Sequence, residues 1–517
     1  MLWTPPQALS VKEKLVAKRL TRTGRFFAFL RENRHELFDD AFQRELLTMY
    51  STKKEGAPPV PPAVLGLVTL MQAYEKTSDA KAVEQTILDL RWQLVLACMG
   101  AEEPLFSQGV LVEFRRRLIE HDLDKRLLER TIELARAKGA FGAAALRVAL
   151  DSSPLWGAGR VEDTFNLIEH ALRVVVRCAA QVAKNSEDYV RKAAKLELVG
   201  HSSVKAALDI DWDDEAARHQ ALQRLLADVS RLRGWIDEHL SEHKTHPSLK
   251  EALELLAKVV EQDLEPEPTP RGGRRIKQGV AVDRRISVSD GDMRHGRKSK
   301  SRVVNGFKRH IAQDLDSRLI LAVTARPANE PEALAAEALA DDWAAFGQPS
   351  ECHIDRGYLA SPMIASMHAH GGRVIGKPWP IRNGDYYPKT KFAIALDRGE
   401  VSCPANKSAP IVRSKAVFAT ADCMSCAQRS ACTRSKSKGR TIAIHEHEAM
   451  MIELRGRKAT PEGRAELRQR THVEHGLAHL AQRQGPRARY RGVRKNILDL
   501  RRLAAVDNLL VIDRQAA

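Results

Sequence analysis

The sequence predicts an α/β protein, with an all-helical N-terminal part and a strand-bearing core interrupted by a long helical insertion. Three observations carry that class. From about Val11 to Lys138, apolar residues recur at helical spacing with few β-branched runs. Two short, mostly apolar runs, Ala144–Leu150 and Cys352–Ile354, each lead directly into an aspartate, as buried strands ending at an acidic residue do. Between them, helical periodicity returns from Asp163 to about Asp263. The expected division is therefore a helical domain over 1–140 and a catalytic-type α/β domain over 141–517. The latter contains a helical insertion at 165–264 and a cysteine-rich segment at 400–435.

Each element has its own local signal. Phe26–Leu30, Leu65–Tyr74, Val83–Leu90 and Leu111–Leu118 read as helix segments. Pro58, Pro59, Pro61 and Pro62 break the chain before the second, and Ser78 with Asp79 caps the third. Arg91, Arg115, Arg116 and Arg117 are expected on exposed faces suited to DNA. The strand Ala144–Leu150 is expected to stop at Asp151, before Ser152-Ser153-Pro154. Leu222–Leu232 and Leu249–Val260 carry the insertion, and Glu265–Pro270, proline at every second position, reads as a stiff linker. Arg285–Ser289, Val303–Ile311 and Arg318–Thr324 read as strands, the last two joined by a turn around Asp314–Ser317. Glu330–Trp343, Glu462–Leu480 and Ile497–Val511 read as helices. In an open α/β sheet the active crevice lies beyond the carboxyl ends of the strands, where Asp151 and Asp355 fall.

Composition narrows the partners. The 517 residues are 43% hydrophobic, enough for a sizeable core, and 83 Lys and Arg against 66 Asp and Glu give a charge of +17. Such an excess favours a polyanion, because neutralised phosphates release condensed counterions. Met1–Leu20 lacks an apolar stretch of signal-peptide length, and the longest apolar runs, such as Ala63–Met71, are too short to span a bilayer. Four of the seven cysteines crowd into one segment, which argues for a reducing cytoplasm over a secreted disulfide framework.

Phosphodiester transfer needs two divalent cations about 4 Å apart. Hard ions such as Mg2+ or Mn2+ take carboxylate oxygens and keep several waters, so two or three acids suffice. Asp151 and Asp355 fit two places, and Glu474 the third, since Arg470 lies one helical turn before it and could grip a phosphate. Asp283, Asp290 and Asp292 are rivals, read as turn or supporting residues, and Asp163 is a further acid near the first block.

The stretches Asp151–Thr164, His353–Tyr358 and Arg470–Glu474 resemble the three signature blocks of bacterial insertion-sequence transposases with an Asp-Asp-Glu triad. Asp292–Ser299 and Asn305–His310 resemble the blocks that family carries before its second aspartate, and the similarity runs in order from about Phe26 to Leu510. The resemblance implies a ribonuclease-H-like core, with Asp151, Asp355 and Glu474 as metal ligands and Arg470 as the family's arginine. Two positions depart from the pattern: Leu467 replaces a frequent tyrosine, and Ala481 a frequent lysine whose place Arg483 or Arg487 could take.

Cys423-Met-Ser-Cys426, with Cys432 after it and Cys403 upstream, has the spacing of tetrahedral zinc ligands; a redox pair, an iron–sulfur cluster and unligated thiols are the alternatives. Cys98, Cys178 and Cys352 read as small buried apolar residues. His472, His475 and His479 read as solvent or DNA contacts. The basic runs Arg271–Lys308 and Arg483–Arg502 flank the proposed blocks, and Arg297, Lys298, Lys308, Arg483 and Arg487 are the expected DNA contacts. The expected function is a DNA transposase acting on double-stranded terminal inverted repeats and target DNA, as a homodimer on paired ends. The alternatives are a catalytically inactive DNA-binding repressor and a ribonuclease-H-like nuclease without strand transfer.

Overall fold

The computed structural model describes residues 2–22, 24–51, 58–142, 145–201, 203–268, 273–298 and 301–515. Ala144, Thr269 to Arg271 and Ser299, which belong to segments singled out above, lie outside them.

The N-terminal part is helical from Val11 to Ala137. Ser78 accepts from the Lys81 amide and starts the helix Asp79–Leu88 as expected, a cap contributing about 1 kcal/mol. Asp89 ends that helix and caps the next, so the run Val83–Leu90 is divided. Pro62–Glu75 is buried all round except at its last two residues, because helices from both sides and the C-terminal helix Val493–Gln515 enclose it.

A mixed six-stranded sheet forms the centre. Its strands are β1 (Leu146–Trp156), β2 (Arg294–Arg297), β3 (Val303–Asp314), β4 (Ile320–Pro327), β5 (Pro349–Ile354) and β6 (Arg373–Gly376). β3 pairs antiparallel with β1, β2 and β4, whereas β1, β5 and β6 run parallel. The order is thus β4-β3-β1-β5-β6, with β2 alongside the start of β3. The helix Ala333–Trp343 makes the crossover from β4 to β5, and Pro362–Ala369 the one from β5 to β6. Val148, Ala149 and Leu150 are fully buried, as a central strand covered on both faces requires. One continuous core joins the sheet to the N-terminal helices and to Val493–Gln515.

Three sequence expectations are corrected. β1 does not stop at Asp151 but runs on to Trp156. Its parallel partner β5 accompanies it only to Ala149, so around Pro154 it has a sheet neighbour on one side, and there a proline without an N–H is tolerated. Arg285–Ser289 forms no strand; it is an extended loop pinned by Glu162, whose amide donates to Ile286 and whose carboxylate accepts from Val288. The expected linker begins instead as a hairpin, Leu264–Pro266 pairing with Arg274–Ile276.

The helices between Thr164 and Asp263 carry a core of their own. A smaller five-stranded sheet over Ala393–Ala443 carries the cysteines. Among the described residues no helix is long and apolar enough to cross a membrane.

Candidate active site

Asp151 and Asp355 arrive together through strand register. Ala149 pairs with His353 in the parallel ladder, so the two aspartates, each two residues further on, stand side by side where β1 and β5 part. Asp355 lies one residue past β5, and its carboxylate accepts from the Arg356 amide at 2.8 Å to start a short turn. Glu474 comes from the helix Thr471–Gln484, which seats Val473, Leu477 and Leu480 in the core. Gly476 lets that helix approach β3, since a Cβ there would lie 2.8 Å from the Gln313 amide group.

Arg470 joins the three. Its Nη2 lies 3.0 Å from Asp151 Oδ1 and 3.4 Å from Glu474 Oε1, and its Nη1 lies 3.3 Å from Asp355 Oδ1. One guanidinium therefore collects carboxylates from three distant parts of the chain. Asp151 is the most enclosed, with 14% of its side chain exposed against 49% for Asp355 and 56% for Glu474. Burial pushes the Asp151 carboxyl above its ordinary range; Arg470 opposes this, and the Glu474 and Asp355 charges reinforce it. Among the described residues no group of three or more such side chains is already spaced to hold a metal. The acids are turned toward the arginine.

Behind the acids lies a buried polar layer that sequence reasoning missed. The Tyr358 hydroxyl lies 2.8 Å from His310 Nδ1, both residues being fully enclosed. Burial pushes the His310 imidazole down to about 3, with Lys308 and Arg326 adding to the effect, so it stays neutral beside the tyrosine hydroxyl. Ser152 donates to Glu332 at 2.6 Å. The signal was available: His310 and Tyr358 end two of the quoted blocks, and a polar residue amid apolar strand positions asks for a buried partner.

The rival acids have structural tasks. Asp163 caps the helix Thr164–Val182 and pairs with Lys205 at 2.7 Å. Asp283 pairs with Arg294 at 2.6 Å, while Asp290 and Asp292 accept from the Gly492 and Val493 amides at the start of the last helix.

The expected DNA-contact residues are scattered. Arg297 and Lys298 are exposed at the end of β2. Lys308 donates to the Glu330 carbonyl at 2.9 Å, and Arg487 to the Gly157 carbonyl at 3.0 Å. Arg483 pairs with Asp507 and lies over Tyr74. The N-terminal arginines do not form the expected free basic face. Arg115 is buried against Asp79, Arg91 is held by Asp89 and Glu75, and Arg116 and Arg117 share Glu113.

Cys403, Cys423, Cys426 and Cys432 line one small cavity with Tyr387, Phe392 and Phe418. All four are free thiols. Burial pushes the Cys432 thiol up; Arg440 opposes this, and the three neighbouring thiols add to it.

Two family models match the chain. One, described as "Transposase domain (DUF772)", covers residues 21–117, and the other, described as "Transposase DDE domain", covers residues 400–512. Both matches support an insertion-sequence transposase of the DDE family. The second match includes Arg470, Glu474 and the four clustered cysteines, while Asp151 and Asp355 lie between the two matched stretches. No curated protein and no solved structure matches it.

Proposed function

We propose that this transposase cleaves DNA at the ends of its element and joins the freed 3′ ends to target DNA, using Asp151, Asp355 and Glu474 as metal ligands. The observation that carries the reading is the convergence of those carboxylates on the Arg470 guanidinium, within 3.4 Å in each case. An all-oxygen donor set with two half-open members suits hard ions that keep several waters, Mg2+ or Mn2+. When bound, such ions supply activation of the attacking oxygen and stabilisation of the leaving one.

The protein's own residues do the rest. β1 and β5 fix the two aspartates on a rigid sheet, so little reorganisation is left for the moment of reaction. Arg470 presents a planar fork that fits a phosphodiester as well as a carboxylate, and orients the scissile group beside the acids. The strand order β4-β3-β1-β5-β6, with its first three strands antiparallel and the last two parallel to β1, supports a ribonuclease-H-like core. In the cysteine-rich segment, Cys403, Cys423, Cys426 and Cys432 are a fitting donor set for a structural zinc ion. Two ends must be processed together, so the working form on DNA is a homodimer. The unit over 1–140, the insertion at 165–264 and the segment at 400–435 are the parts of this reading.

The test is an Asp151→Asn protein incubated with duplexes carrying the element's terminal repeats and Mg2+. It should bind them and leave them uncut. Cleavage at the wild-type rate would end the assignment, and nicks without joined products from the wild type would leave a nuclease alone.

A further inference from the structure

On the opposite flank of the glutamate helix lies a second groove that the proposed chemistry does not use. Residues 472, 475 and 479 fall on one stripe at a helical advance of 100° per residue, about half a turn or less from the buried Val473, Leu477 and Leu480 and away from Glu474. His472, His475 and His479 are all exposed there. The groove they border is completed by the turn after β3, by the last helix and by the end of Pro62–Glu75, which bring in Arg318, Arg514 and Lys76.

Its charges are unusual for this molecule. The groove's two acids are already spoken for, Asp507 by Arg483 and Asp513 by Arg25. Among the described residues, Arg318, Arg514 and Lys76 make no direct ion pair, although Asp316 and Asp314 lie near Arg318 and Asp507 near Arg514; Arg514 and Lys76 donate only to backbone carbonyls. Arg318 has a buried Nη1 with no hydrogen-bond partner. Elsewhere the arginines that the sequence offered as a basic face are consumed by internal acids. Lys76 and Arg318 also both stand at left-handed φ, 58° and 69°, at the mouths of turns that project them into the groove.

We infer that this groove is a second DNA-backbone site, taking the phosphates of a duplex stretch away from the scissile bond. The imidazole stripe from position 472 to 479 extends roughly 10 Å at 1.5 Å per residue, and one DNA strand offers a phosphate about every 3.4 Å of axis. That length matches a short run of phosphates better than one isolated anion. The inference rests on the transposase reading, and it adds Lys76, Arg318 and Arg514 to the DNA surface, beside the histidines that the sequence already offered as solvent or DNA contacts.

The experiment uses the full-length chain, in EDTA so that nothing is cut, with a labelled 30-base-pair duplex and anisotropy read over a range of salt. Arg318→Glu with Arg514→Glu should weaken binding at least tenfold and flatten the salt slope by about two, as two lost phosphate contacts require. Lys76→Asn, an exposed position whose left-handed backbone asparagine suits, should weaken binding about threefold and flatten the slope by about one while melting as the wild type does. Unchanged affinity and slope in both variants, with wild-type binding intact, would overturn the groove and leave the transposase reading standing. A wild type that fails to bind duplex DNA at low salt would overturn both.

Discussion

The carboxylate site and the cysteine cluster are two gatherings of metal-seeking side chains built in opposite ways. The cysteines lie within Cys403–Cys432, on two short helices and the loops beside them, over a core of a few residues such as Phe392, Val401 and Phe418. The acids come from positions 151, 355 and 474 and rest on the molecule's largest core. On the zinc reading, a segment with so little apolar burial would gain stability from the ion, whereas the sheet is organised before it binds anything. Chemistry and stability should therefore separate cleanly between the two.

The largest effect tests the acid side. Asp355→Asn should lower cleavage by about a hundredfold or more, because metal-held charge contributes several kcal/mol to the transition state. The melting temperature should barely move, since Asp355 is half exposed and exposed ion pairs contribute little. A protein that cuts normally, or one that unfolds, would break the contrast. The cysteine side predicts the reverse. Cys423→Ser with Cys426→Ser should lower the melting temperature by more than about 4 °C. A chelator should do the same to the wild type and nothing further to the variant; a wild type indifferent to chelation would remove zinc from the reading.

Acid should act on the sheet through the buried His310. His310 is held down to about 3 against an ordinary 6.5, so its stabilising effect is fully present above pH 6.5 and is lost as pH falls toward 3. Thermal melts of the wild type should decline across that window by an amount on the order of a few kcal/mol, and His310→Asn should flatten the decline. Parallel curves for the two proteins would show that the buried imidazole is not what the acid attacks. The smallest effect sets the baseline: Arg116→Ala removes exposed pairs with Glu113 and Glu120 and should leave the melting curve where it was.

The helical periodicity, the strand at Cys352–Ile354 and the cysteine spacing were all legible, because each is written in neighbouring residues. Asp151 was found for a partly mistaken reason: the run Asp151-Ser-Ser-Pro154 looks like a strand end, yet β1 continues because its second neighbour has already departed. Arg470 was read as a phosphate grip one turn before Glu474, but its reach to residues more than a hundred and more than three hundred positions earlier is set by strand register and helix docking, which spacing does not encode. The N-terminal arginines misled for the same reason. Charge is visible in sequence, but the acid that consumes it across a helix pair is not.

The insertion between β1 and β2 has a consequence for how such a protein can change. Thr164 Oγ1 donates to Asp263 Oδ2 at 2.8 Å, so the place where the chain leaves the sheet's neighbourhood and the place where it comes back are one hydrogen bond apart. Arg284 clamps the same Asp263 at 2.6 Å. The detour is a closed loop hung from a single knot. Whatever length or shape is spliced between those ends, the backbone delivering Asp151 to its companions need not stir.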